Sequence, residues 1–345
     1  MIKIDIDERK WKKIKEEHSE WYSDNILPNI RNAYEFIESQ KSKSYSMKKY
    51  LELLKKIIDK GKDFIIQKEL FLDYENKEID KIIKIMKKKN KKSKSILEIR
   101  FEKLNISEEY LPNQLFCYKK LQTGNKDWNR HKLLSLIGIE ICPYCQRNYI
   151  SSYEENNDEK TTADLDHFYP KSLYPFLALS LYNFIPSCQI CNSRFKGNKD
   201  TRDSVYLYEE GFDELGVKFK TSKEVISEIL GERYSDFYVK IDYENLKNKE
   251  DGEKVKNSIE NLGLDRVYKK SHNQYIQNLL YNIEKYPENY LENCVEMFES
   301  NVDKKKQLEE YFKDIVKEPY RKRIEKGEPL AKLTKDILEE FNIKI

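Results

Sequence analysis

Two Cys-x-x-Cys pairs, Cys142-Pro143-Tyr144-Cys145 and Cys188-Gln189-Ile190-Cys191, constrain this chain more than any other feature. Each such turn can present two thiolates to one ion, and two turns complete a tetrahedral four-cysteine zinc site. The segment between them, residues 146 to 187, is longer than a simple zinc ribbon needs, so something else must fold between the two turns. A thioredoxin-like redox reading requires one such pair in a βαβ context and fits less well. A disulfide framework is not expected of a large chain with no visible export signal. The six cysteines also include Cys117 and Cys294, which stand alone and read as small buried apolar residues. Because zinc binding contributes directly to folding, the site is expected to tie together two segments distant in sequence.

The rest of the chain reads as mainly helical. At 345 residues it suggests two or three domains, taking about 150 residues per domain as a prior. Trp11, Ile14, His18, Trp21 and Tyr22 recur at helical spacing, which places His18 on a core stripe rather than in a ligand set. Leu51, Leu53, Leu54, Ile57 and Ile58 begin another helix, and Ile79, Ile82, Ile83 and Met86 a third. A helix around residues 130 to 139 leads into the first cysteine pair, with His131 on it in a structural role. From about 140 to 205 prolines, aromatics and short apolar runs replace the Lys/Glu helices. Beyond that, residues 217–220 and 237–242 alternate weakly like strands, and 255–280 returns to helix. The expected division is therefore 1–125 helical, 126–205 a central zinc module, and 206–345 mostly helical with a short hairpin. No apolar stretch is long enough to span a bilayer and no signal peptide is visible, so a cytoplasmic protein is expected.

Charge adds little by its total, since 64 Lys+Arg against 61 Asp+Glu leaves +3. Its distribution matters more. Residues 81 to 97 carry a lysine run with no acid, which is either a solvated helix face or a patch that tracks phosphates.

Between the cysteine pairs lies Asp164-Leu165-Asp166-His167-Phe168-Tyr169-Pro170-Lys171-Ser172, then Asn183-Phe184-Ile185-Pro186. After the second pair comes Asn192-Ser193-Arg194-Phe195-Lys196. These sub-motifs, in this order, resemble the HNH (ββα-metal) endonuclease family with two zinc knuckles. The resemblance implies a fold that is mainly α with a small central ββα-metal (HNH) module stapled by a four-cysteine zinc site. It implies that Asp166 binds a divalent metal, Mg²⁺ or Mn²⁺, and that His167 deprotonates the attacking water. Asn183 matches the central Asn, which pins the loop holding the His. Asn192 stands where most members have a final metal-ligating His, so the pattern here is H-N-N; its amide oxygen can still coordinate a hard ion. Neighbours on a regular strand face opposite ways, so Asp166 and His167 are expected where a strand ends or bends. Asp164, two residues earlier, shares the face of Asp166 and is a minor candidate ligand. Lys196, one helical turn after Asn192, shares its face and either contacts phosphate, balances local charge or is solvated. Lys171 and Arg194 are the other candidate phosphate contacts.

Chemically, one hard cation and one neutral imidazole supply what phosphodiester hydrolysis needs: an activated water and positive charge on the phosphate. The resemblance implies an endonuclease, acting on DNA in preference to RNA and leaving 5′-phosphate and 3′-hydroxyl ends. The variety of motif, flanked by long helical regions, looks like the HNH subunits of antiphage systems such as Septu, which work beside an ATPase partner. The chain has no Gly-rich phosphate loop, so nucleotide dependence would come from that partner. Two competing readings stay open: a zinc-stabilised nucleic-acid-binding module without cleavage, and a purely structural zinc scaffold.

Overall fold

A computed structural model describes residues 1–68, 95–124, 127–156, 158–231, 236–285 and 316–344. The lysine run from Lys81 to Lys94, the helix expected around residues 79–86, and Cys294 lie outside the described residues. Among the described residues the chain is mostly helical with three two-stranded sheets. None of these helices is long and apolar enough to cross a membrane. The chain divides into two compact units.

One unit comprises Asp5–Glu140 and Ile150–Asp203. It opens with helix α1 (Glu8–Asn25), α2 (Leu27–Ser39) and α3 (Tyr45–Lys60), followed by α4 (Ile96–Lys103) and α5 (Arg130–Ile137). Local chemistry sets these limits. The Asp7 carboxylate accepts from the Arg9 and Lys10 amides at 3.0 and 3.1 Å and starts α1, satisfying two otherwise orphan donors. Ser44 caps α3 through the Met47 amide, and the helix stops at Gly61, where a φ of +55° suits glycine. Ser95 and Glu98 form a reciprocal capping box at α4. Asn129 caps α5, and Gly138 in the left-handed region ends it. Of the stripes expected from spacing, Ile14, His18, Trp21 and Tyr22 on α1 and Leu51, Leu53, Leu54 and Ile57 on α3 are buried, while Trp11 and Ile58 are half-buried.

The same unit holds two antiparallel pairs. Strands β1 (Ser152–Glu155), which is exposed, and β2 (Asp158–Thr161), which is half-buried, form a hairpin not expected from the sequence, with Asn156 at φ +54° after β1. Strands β3 (Asp164–His167) and β4 (Phe184–Ser187) pair in the register Asp164↔Ser187 to His167↔Phe184. Pro186 is tolerated in β4 because a two-stranded sheet has only edge strands. A π-helical stretch, Ile190–Lys196, follows β4 directly.

The other unit comprises Met1–Ile4, Ile141–Tyr149 and Ser204–Ile345. The two strand-like runs become β5 (Lys218–Thr221) and β6 (Val239–Asp242), paired as antiparallel neighbours. Strand β5 packs against α8 (Ala331–Glu340), which also meets α7 (Asn273–Lys285); α6 (Gly252–Leu262) lies elsewhere along the chain of this unit. Its core includes Phe219, Phe237, Tyr268, Ile276, Leu280, Leu333 and Ile337. Asp336 of α8 accepts the Phe219 amide at 2.8 Å and is ion-paired to the buried Lys332 at 2.9 Å. The first cysteine turn belongs to this unit. Tyr268 donates its hydroxyl to the Cys145 carbonyl at 2.6 Å, and the Leu330 amide donates to the Gln146 carbonyl at 2.8 Å.

Candidate active site

The candidate site is built on the end of β3. Along that strand Asp164 and Asp166 share one face while Leu165 and His167 take the other. Pairing ends at His167, and the chain turns away at Phe168, whose amide donates to the Asn183 carbonyl at 2.8 Å. Asn183 is fully buried, and its side chain bonds the backbone. Its Oδ1 accepts from the Tyr169 amide at 2.7 Å, and its Nδ2 donates to the Tyr169 and Leu177 carbonyls at 3.1 and 3.0 Å. One amide side chain thus clamps both sides of the loop that follows His167.

The His167 ring is buried against Tyr118 and Phe184, with centroids 4.7 and 5.3 Å away. Its Nε2 lies 3.0 Å from the Ala178 carbonyl, an acceptor only, so Nε2 carries the hydrogen and Nδ1 is the basic nitrogen. Burial, with the Lys171 charge second, pushes its pKa down to about 3, so the imidazole is neutral at ordinary pH. Next to it in the sequence, Asp166 makes an ion pair with Lys196 at 3.1 Å, the two side chains 3% and 1% exposed. Lys196 also donates to the His167 carbonyl at 2.6 Å. Lys196 is thus buried and paired with Asp166 rather than solvated. Asn192 donates its Nδ2 to Asp164 at 2.9 Å. The helix that carries both residues is π rather than α, closed by the Gly197 amide on the Asn192 carbonyl at 2.8 Å.

These side chains line a cleft of about 160 Å³ together with Tyr118, Gln122, Arg130 and Lys171. A larger cavity of about 710 Å³, floored by Leu97, Phe116 and Pro175, shares Tyr118, Gln122 and Lys171 with it. Lys171 places its ammonium 4.8 Å from the Tyr118 ring centre, a cation–π contact. Arg194 is exposed on the π-helical stretch and is not among the residues that line the cleft. Tyr118 and Arg130, hydrogen-bonded to each other, have no motif to announce them. They stand far upstream of Asp166 in sequence and meet it only in the folded chain. Lone Cys117 is half-buried at the larger cavity.

A second histidine supports the first. His18 Nε2 lies 2.8 Å from the Leu179 carbonyl, and its Nδ1 accepts from Trp128 Nε1 at 3.0 Å. His18 thereby holds the residue beside Ala178, the acceptor for His167. Burial pushes its pKa down to about 4, below the unfolded value of 6.5. The unfolded chain therefore takes up this proton first. Stability is whole above about pH 6.5 and falls as pH drops toward 4, by up to about 3 kcal/mol from this group. Urea titrations at stepped pH should show this loss. In His18→Gln the slope of stability against pH should fall by about one proton between about pH 6.5 and 5; an unchanged slope would remove His18 as its source.

The four cysteines Cys142, Cys145, Cys188 and Cys191 are all buried, and their sulfurs lie within 4.8 Å of one another. They could bind a metal ion such as zinc, for which a four-thiolate tetrahedral set is well suited. Among the described residues this is the one group of three or more Cys, His, Asp or Glu ligand atoms close enough to hold an ion. In the cleft the side chains are different in kind: the Asp164 and Asp166 carboxylates and the Asn192 amide offer hard oxygen atoms. They suit Mg²⁺ or Mn²⁺, which take one or two carboxylates and keep several waters.

Septu protein PtuB of Bacillus thuringiensis is 33% identical to this chain over 102 residues, which is 29% of this chain and 34% of that protein. The match therefore spans about a third of the relative's own length. No protein-family model and no solved structure matches the chain.

Proposed function

We propose that the chain is a metal-dependent HNH-type endonuclease that hydrolyses phosphodiester bonds of DNA in a Septu-like antiphage system, alongside an ATPase partner. The observation that carries this reading is the placement of His167. Its imidazole is buried and neutral, and is fixed through Nε2 to the Ala178 carbonyl. It stands beside Asp166 at the end of one strand, in a cleft that also holds Arg130 and Lys171. Nothing in the packing of a two-stranded sheet requires that combination. The similarity to Septu protein PtuB supports the antiphage setting.

In this reading β3, β4 and the stretch Ile190–Lys196 form the ββα-metal module. His167 Nδ1 takes the proton from the attacking water. Asn183 keeps the following loop, and so the ring, in place. Lys171 and Arg130 hold phosphate oxygens, and the H-N-N pattern is His167, Asn183 and Asn192. A bound Mg²⁺ or Mn²⁺, held by Asp166 and Asn192 with Asp164 beside them, would supply positive charge to the phosphate and the leaving oxygen. Zinc on the four cysteines is structural.

One specific observation favours a second reading, a nucleic-acid-binding module without cleavage: the Asp166 carboxylate carries an ammonium partner, and Asn192 is turned onto Asp164. Incubating supercoiled plasmid with the purified protein and Mg²⁺ or Mn²⁺, with and without the co-expressed ATPase, separates the two. Cleavage that disappears in His167→Ala is the expected result. Binding without cleavage under every condition would replace the endonuclease by the binding module.

A further inference from the structure

Lys196 is ion-paired to Asp166, the carboxylate read above as a metal ligand. Its side chain is 1% exposed, and its ammonium is 3.1 Å from Asp166 Oδ1 and 2.6 Å from the His167 carbonyl. A divalent ion on either oxygen of Asp166 would lie about 2.1 Å from that oxygen. It would then stand within a few ångströms of a buried positive charge, where repulsion is only weakly screened. Two cations do not share one buried carboxylate cheaply, and in this cleft one of them is part of the chain. The lysine also has somewhere to go. It is the last residue of its helix, and next comes Gly197, at φ +53° with no atom within 4 Å of where its side chain would be. Gly197 and Asn198 form the rim of the same cleft.

We propose that Lys196 is a resident counter-ion of Asp166 that a divalent metal must displace, so that this lysine sets the metal affinity of the site. This rests on the reading of Asp166 as a metal ligand. In the metal-free chain Lys196 keeps the carboxylate neutralised and β3 joined to the helix. When metal enters, the ammonium leaves Asp166 for the cleft rim, beside Lys171, where a substrate phosphate is its natural partner. Lys196 is thus a positioning residue whose removal should improve metal binding, the opposite of what damage to a site does.

Mn²⁺ binding to the zinc-loaded full chain, read by electron paramagnetic resonance of the free ion, tests this without reference to activity. Lys196→Gln should bind Mn²⁺ about tenfold more tightly or better, since a repelling charge at this range has been removed. Adding Asp166→Asn to Lys196→Gln should abolish the gain, locating it at this carboxylate. In the wild-type protein, acylation of Lys196 by an amine reagent, followed by peptide mass spectrometry, should speed up when Mn²⁺ saturates the site. A folded Lys196→Gln with equal or weaker Mn²⁺ affinity would overturn the proposal. If that variant does not fold, the labelling decides alone, and an unchanged rate would overturn it. Absence of saturable Mn²⁺ binding in both proteins would instead remove the metal reading of Asp166 itself, and this proposal with it.

Discussion

His167→Ala is expected to lower nucleolytic turnover by about 10²- to 10⁴-fold, the usual contribution of a positioned general base. Zinc content and nucleic-acid binding should stay near wild type, because the His167 side chain uses the Ala178 carbonyl and two ring contacts. The ring is buried, so truncation also leaves a cavity, and large-to-small core changes cost about 2–5 kcal/mol. His167→Asn, which fills more of the space, is the better control for stability. Neither variant should recover with excess Mg²⁺ or Mn²⁺, since added cation cannot restore a missing proton acceptor. Asp166 behaves differently. Asp166→Ala strands the buried Lys196, and breaking a buried pair from one side costs about 3–5 kcal/mol. Loss of activity in that variant would mix unfolding with chemistry, so Asp166→Asn, which keeps an acceptor for Lys196, is the informative substitution. It should be rescued in part by more metal. If His167→Ala and His167→Asn both cut as fast as wild type, with contaminating nuclease excluded, the general base lies elsewhere.

The parts of this site that can be read in the sequence are those whose chemistry is local. A Cys-x-x-Cys turn carries its geometry within four residues, so Cys142, Cys145, Cys188 and Cys191 are recognisable without a fold. The Asp166-His167 pair needs a strand that ends, and β3 ends there. Asn183 is legible for the same reason: it stands one residue ahead of β4, opposite the loop it bonds. Other features depend on distance in sequence. Whether Lys196 is solvated or paired is decided by a strand 30 residues earlier, and no spacing rule reaches that far. Tyr118 and Arg130 enter the cleft from the helical region, where neighbouring residues look the same as any Lys/Tyr-rich surface. The hairpin β1–β2 is illegible because its strands are almost wholly polar, leaving no apolar alternation to read. The π-helical form of Ile190–Lys196 is equally hidden, since helical periodicity from single residues does not separate i→i+4 from i→i+5 bonding over seven positions.

Replacing any one of Cys142, Cys145, Cys188 or Cys191 by Ser is expected to unfold the part of the chain built around these turns. The four buried sulfurs lie within 4.8 Å of one another and are not joined as disulfides. A metal-binding set of thiolates so close needs a dication to offset their mutual repulsion, and a structural zinc supplies apparent folding free energy of about 10–16 kcal/mol at neutral pH. That exceeds much of the about 5–15 kcal/mol by which a whole domain is stable, so even partial loss of the ion is decisive. Elemental analysis should find one zinc per folded chain, and each Ser variant should show sub-stoichiometric zinc together with raised protease sensitivity. Acid should release the ion as the thiolates take up protons. This release and the loss of stability attributed to His18 are separable, because a chromogenic chelator reports zinc alone while His18→Gln alters only the second. Cys117→Ser serves as the contrasting case: its thiol is outside the four-sulfur group, and its substitution should leave zinc content unchanged. Folded, cooperative protein containing no zinc would show that the four thiols pack as apolar side chains instead, and would remove the metal from the account of this fold.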